Sequence, residues 1–174
     1  MKSITIIFLT AYSCLCCSPS TSSSNPNIID NYFYVNPSSI EINKTLKNTI
    51  DTGPFKVNFP NEWKLKKGQG IDSFVGEITN DKYKLSFSYS TQGNSYFLTS
   101  DTINHLITED TITPFYVKIV SPKNNKKGTT GIYLINFDYS TSLNLYGKDL
   151  LPKTNKEVLK AFQTIGIKLS ENLP

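Results

Sequence analysis

From residue 55 to residue 89 the chain alternates between apolar and polar side chains. Phe55, Val57 and Phe59 are separated by Lys56 and Asn58, the two-residue period of a strand with one face on a core. Pro60-Asn61 ends that strand. Trp63-Lys64-Leu65-Lys66 reads as a second short strand, and Lys67-Gly68-Gln69-Gly70 as a turn. Phe74 to Ile78 is a third strand. Asn80-Asp81 turns into a fourth, where Tyr83, Leu85, Phe87 and Tyr89 alternate with Lys82, Lys84, Ser86 and Ser88, one face inward and one in water. Phe115 to Val120 is a fifth. Thr130 to Tyr139 (TGIYLINFDY) is apolar on both faces, which places it centrally in a sheet.

Two segments break this period. Residues 91 to 110 are polar and irregular, with a short helix expected over Asp101 to Thr108. Near the end, Thr154 and Glu157 have the T-x-x-E spacing of a capping box. Val158, Leu159, Phe162 and Ile165 follow at helical spacing. Gly166 stops that helix, and Ile167-Lys168-Leu169 adds a last edge strand. Many antiparallel strands followed by a helix predict an α+β domain over residues 51–174, a sheet with helices packed on it. Residues 18–50 read as a largely flexible tether, rich in Ser, Pro and Asn at its start. Within it, Tyr32 to Val35 and Ile40 to Ile42 have strand-like content.

The first 17 residues are of a different kind. Lys2 precedes an apolar run from Ile4 to Ala11, the size of a secretory signal core and well short of the roughly 20 residues a spanning helix needs. All three cysteines follow at once, at positions 14, 16 and 17. Metal binding calls for a second ligand pair, and an internal disulfide for a distant partner. The chain offers neither. The segment resembles a bacterial lipoprotein signal, in which the first cysteine of the mature chain is acylated. Cys14 follows Ser13, and Cys17 has Leu15 at the middle position. Leu15 directly before Cys16 fits badly, so Cys14 and Cys17 are the lipidation candidates. Several acyl chains on one residue anchor firmly where a single chain binds only marginally.

The 174 residues carry a formal net charge of +4, falling to about +3 without Lys2, too little for a steering field. All 18 basic residues are lysine. Arginine is the usual fork for phosphate and base edges, so its absence argues against phosphate-ester or nucleic-acid recognition, with the codon bias of an AT-rich genome as the equal alternative. The lysine clusters at 64, 66, 67 and at 123, 126, 127 read first as solvated faces, and second as contacts for acidic lipid headgroups or polysaccharide.

A family resemblance joins these readings. The run PFKVNFPNEWKLKKGQGIDSFVGEI (54–78) resembles the start of small Bacteroidetes-type lipoproteins, with a strand, a Pro-x-x-Trp turn and a Gly-Ile-Asp-Ser-aromatic-Val-Gly segment. The ending LNLYGKDLLPKTNKEVLKAFQTIGIKL (143–169) is similar to theirs. More loosely, Phe-x-Val-x-Phe-Pro-x-x-Trp with a C-terminal helix and strand is similar to the PsbP-like α/β/α sandwich. The resemblance implies a PsbP-like fold and an envelope address, without an established activity. The chain departs from the group at Ser88-Tyr89-Ser90, where an Asp-Tyr-Gly type of stretch is commoner.

Candidate chemistry is sparse. His105 is the only histidine, and a lone histidine serves as a general base less often than it decorates a loop. Ser73, His105 and Asp72 would supply the residue types of a triad, but no Gly-x-Ser-x-Gly elbow frames Ser73. Gly68, Gly70 and Gly76 lack the helix that a dinucleotide loop requires. Trp63 is the residue for stacking on a ring, weighed against a core role. Asp72 is a ligand contact, weighed against a turn carboxylate. No metal or cofactor is implied. The expectation is a lipid-anchored binding or assembly module on the periplasmic side of the outer membrane, with an envelope protein as a further partner. A small hydrolase is the alternative. A cleft gathering Trp63, Asp72 and His105 would favour a ligand or a reaction.

Overall fold

The computed structural model describes residues 25–38, 46–68, 73–92, 101–125 and 127–169. Among the described residues, twelve strands and one α-helix run in the order β1 (Ile28–Ile29), β2 (Tyr32–Tyr34), β3 (Asn48–Asp51), β4 (Phe55–Phe59), β5 (Lys64–Lys67), β6 (Phe74–Thr79), β7 (Lys84–Ser90), β8 (His105–Ile112), β9 (Phe115–Pro122), β10 (Thr129–Asn136), β11 (Ser142–Lys148), α1 (Pro152–Phe162) and β12 (Gly166–Lys168). They form two antiparallel sheets, ordered β1-β2-β12-β4-β3 and β5-β6-β7-β11-β10-β9-β8.

The alternation seen in the sequence sets the packing. Phe55, Val57 and Phe59 of β4 point inward from the five-stranded sheet, and Leu85 and Phe87 of β7 from the seven-stranded one. They meet in one core that joins both sheets. Phe33 lies 4.6 Å from Phe115, and Phe55 meets Phe87 edge-on at 5.2 Å, separations at which offset and edge-to-face rings attract. Helix α1 adds Val158, Ala161 and Phe162 to this core. Gly76 fits under the Phe87 ring, where a Cβ would stand 2.7 Å from the ring edge.

The outer face of the seven-stranded sheet is also partly buried. Val120, Tyr133 and Ile135 form a second, smaller cluster there, with Ile107, Tyr116 and Tyr146 against it. Strand β10 is therefore apolar on both faces, as its composition predicts, with β9 on one side and β11 on the other.

The fold class differs from the expectation. The domain is predominantly β, two packed sheets with one short helix at the end, and not an α+β, PsbP-like arrangement. Three local effects account for the difference. Residues 105–112 are a strand where a helix was expected over Asp101 to Thr108. Ile107, Thr108, Thr111 and Ile112 are β-branched and lose side-chain freedom in a helix, and β8 pairs with β9 along its whole length. Residues 142–148 carry an alternation of their own, with Leu143 and Leu145 inward, and become the middle strand β11. At the C-terminus β12 is no edge strand. It lies between β2 and β4, with Ile167 fully buried.

The capping box does not form. Helix α1 starts at Pro152 with Leu151 as N-cap and no side-chain cap, because proline is preorganised for the first helical position. Thr154 then falls inside the helix. Ahead of Asp51, β2 and β3 join the five-stranded sheet, with Phe33 fully buried. Residues 40 to 42 lie outside the described residues.

Candidate functional site

The three described candidates, Trp63, Ser73 and His105, do not converge. Trp63 is fully buried and stacks on Phe59 at 5.0 Å. Its backbone is tied at both groups, N–H to Pro60 O at 3.1 Å and carbonyl to Asn48 Nδ2 at 2.6 Å. Its indole Nε1 has no hydrogen-bond partner among the described residues. Ser73 is half-buried just before β6. Asp72, Cys14 and Cys17 lie outside the described residues. His105 opens β8, at the opposite edge of the sheet from the strand that follows Trp63. Six strand spacings, about 29 Å at ~4.8 Å each, separate those edges along the sheet. Ser73 and His105 are five spacings apart, so the two are not neighbours.

His105 instead joins strands. It is buried, and its Nε2 accepts the Thr129 N–H at 3.0 Å, tying the start of β8 to the start of β10. Its Nδ1 faces Asp101 Oδ2 at 3.6 Å. Asp101 builds the turn into β8. Its Oδ1 accepts the N–H groups of Ile103 and Asn104, and its Oδ2 the Asn104 side-chain amide. The Asn104 bonds hold this carboxyl below its ordinary value of 3.8. A lowered carboxyl supports the fold above its ordinary value, and the support is lost as pH falls through the lowered value it has in the fold.

A different group of side chains does form a site. At the end of the sheet where β8 turns into β9 and β10 passes to β11, a cleft of about 370 Å³ is lined by Tyr116, Tyr133, Ile135, Asn136, Phe137 and Tyr139 together with Thr111. Its floor is the second apolar cluster. Its rim is the loop 137–141, where Phe137 is 49% and Tyr139 68% exposed. That loop is held by several bonds. Phe137 N–H reaches Pro114 O at 3.0 Å, Tyr139 N–H reaches Asn136 O at 2.8 Å, and Asp138 Oδ1 accepts the Ser140 N–H at 2.8 Å. Tyr139 has φ 58°, a left-handed backbone that is a real outlier for a bulky residue. The fold thus fixes two large aromatic rings in water, against the usual tendency to bury them.

The polar part of the site follows from register. Glu109, Lys118, Tyr133, Asn144 and Ser88 stand side by side across five strands. Lys118 is only 5% exposed, its ammonium 3.5 Å from Glu109. Burial raises the Tyr116 hydroxyl pKa, and a hydrogen bond to Glu109 raises it further. Burial likewise raises Tyr133, with Tyr139 contributing. Both phenols stay neutral donors. Asn144 Oδ1 has no hydrogen-bond partner among the described residues. Among the described residues no charged side chain lines the cleft itself, so it suits a neutral ligand with apolar faces and hydroxyl or amide edges.

Among the described residues no group of three or more His, Cys, Asp or Glu side chains stands together as a metal site would need. Compared with known proteins, the chain matches no family model and no curated sequence. Sequence reasoning missed the cleft because it ran one strand from Thr130 through Tyr139. The usable signal was Asp138-Ser140-Thr141, turn-forming residues placed between two apolar segments.

The His105 tie makes Gly128 critical. A Cβ there would lie 2.5 Å from His105 Nε2. Gly128→Ala should cost about 1–3 kcal/mol in urea unfolding, as overpacking does. The cost should shrink in a His105→Ala background, where the clashing ring is gone. Equal costs in both backgrounds would place the strain elsewhere.

Proposed function

We propose that the chain is a lipid-anchored cell-envelope protein whose β domain binds a neutral saccharide ring in the aromatic cleft. The observation that carries the binding reading is the pair Phe137 and Tyr139, held exposed above a cleft floored by Tyr116, Tyr133 and Ile135. Sugar rings present apolar C–H faces to aromatic rings, and their hydroxyls match the Tyr, Thr and Asn groups lining this cleft.

The anchor reading rests on the N-terminal pattern: Lys2, a short apolar run, then Cys14 and Cys17 before a Ser/Pro/Asn stretch. The resemblance to small Bacteroidetes-type lipoproteins points the same way. Among the described residues no helix is long and apolar enough to cross a membrane. With no aspartate after Cys14 or Cys17 and no acidic run beyond, the periplasmic face of the outer membrane is the proposed address. Binding a saccharide there requires no catalytic group.

Two outcomes test this. Mass spectrometry of the mature chain from membranes should find a diacyl or triacyl modification on Cys14 or Cys17, and a free, unacylated N-terminus beyond Cys17 would contradict the anchor. Titration of the full chain with neutral oligosaccharides of glucose, mannose and N-acetylglucosamine should give saturable binding. Phe137→Ala or Tyr139→Ala should weaken it by about tenfold, the value of one aromatic stack. No binding across that panel, or equal binding by both variants, would contradict the saccharide reading.

A further inference from the structure

Strand β11 ends in a second cleft, about 20 Å along the strand from the aromatic one at ~3.4 Å per residue. It measures about 330 Å³ and is lined by Lys82, Tyr83, Lys84, Ser86, Tyr146 and Lys148, with Gly147. The structure brings these residues together from two distant stretches, the β6–β7 turn and the end of β11. The turn is built to hold its shape. Asn80 Oδ1 accepts the N–H groups of Lys82 and Tyr83, and Thr79 Oγ1 donates to the carbonyls of Asn80 and Tyr83. Gly147 lets β11 approach β7, since a Cβ there would meet Leu85 at 2.5 Å.

The side chains of this cleft can nearly all donate. Three lysines and three hydroxyl-bearing residues line it, with Lys84 paired to Glu77 and Tyr83 packed against the core, and among the described residues no acidic residue lines it. The nearby acids are engaged or set apart. Glu77 bonds Lys84 at 2.9 Å on the rim, Asp149 Oδ1 accepts the Gly128 N–H, and Asp81 sits in the exposed turn. Register carries the positive charge further. Lys64, Thr79 and Lys84 share one row, and Lys66, Glu77 and Ser86 the next. A modest overall charge is thus gathered on one corner of one sheet.

We propose that this cleft binds a phosphate group. A tetrahedral oxyanion with two charges and several acceptor oxygens matches a cleft of lysines and hydroxyl-bearing side chains better than a carboxylate with two oxygens, and lysine serves phosphate as a point charge. Arginine is not required for that role. The phosphate comes either from a lipid headgroup at the surface where the chain is anchored or from a soluble phosphorylated compound. The proposal is independent of the saccharide reading, because the two clefts share no residue.

The test is lysine protection. The full chain in phosphatidylcholine vesicles is acetylated briefly, and modification at each lysine is read by mass spectrometry. Inorganic phosphate is compared with chloride at equal ionic strength, and vesicles containing phosphatidylglycerol with vesicles lacking it. The proposal expects Lys82, Lys84 and Lys148 to slow several-fold while Lys153 and Lys160 on α1 do not. Protection by inorganic phosphate alone identifies a soluble phosphate compound, and stronger protection by phosphatidylglycerol identifies a headgroup. The double variant Ser86→Ala, Tyr146→Phe removes two hydroxyl donors and should lose most of the protection. No protection, equal slowing of the α1 lysines, or full protection in the double variant would overturn it.

Discussion

Burial of β10 on both faces is the constraint on which the rest of the structure depends. Ile132 and Leu134 face the five-stranded sheet, while Tyr133 and Ile135 face the second cluster with Val120. A slip of one residue would exchange those faces. It would send Tyr133 into a core already filled by Phe115 and Leu143, and remove the ring that links Lys118 to Asn144 across the outer face. Register in β9 and β11 is fixed by the same requirement, since each pairs with β10 along most of its length. Both clefts inherit their geometry from it, one at each end of β11.

The two faces are used differently. The inner face is a continuous aromatic and aliphatic layer closed by β12 and α1, and it contributes stability. The outer face mixes apolar groups with Lys118, Tyr133 and Asn144 in one row. A buried lysine paired with a half-exposed glutamate, and a buried Asn144 Oδ1 without a partner among the described residues, are features that cost stability and that an all-apolar face would avoid. Local departures of this kind concentrate at sites used for something other than folding. The exposed Phe137 and Tyr139 and the left-handed Tyr139 backbone add to that pattern at the adjoining loop.

Much of the sheet was legible in the sequence. Strands β4 and β7 follow from clean alternation, β10 from its continuous apolar run, and β6 and β9 lie where short strands were expected. The misreadings were physical in origin. Residues 105–112 are polar because β8 is an edge strand whose charges, Glu109 and Asp110, discourage further pairing, and polarity was read as a loop with a helix. Strand β11 hides behind Ser142, Asn144 and Gly147, and only its pairing with β7 and β10 reveals it as central. The helix start was set by Pro152 rather than by the Thr154 spacing. The sites were least legible of all. Tyr116, Tyr133 and Tyr139 carry no motif, and Lys148 meets Lys82 and Lys84 only through strand order. His105, expected on an exposed loop and weighed only secondarily as a general base, is buried and is an acceptor for a backbone N–H.

Amide hydrogen exchange tests the double burial of β10 most directly. Amides buried on both sides open only with the whole domain, whereas edge strands open locally. The account predicts that Ile132 to Ile135 exchange slowest in the chain, at the rate of global unfolding, and that β5 and the outer half of β8 exchange far faster. Exchange of Ile132 to Ile135 at the rate of those edge strands would contradict it, and with it the placement of both clefts.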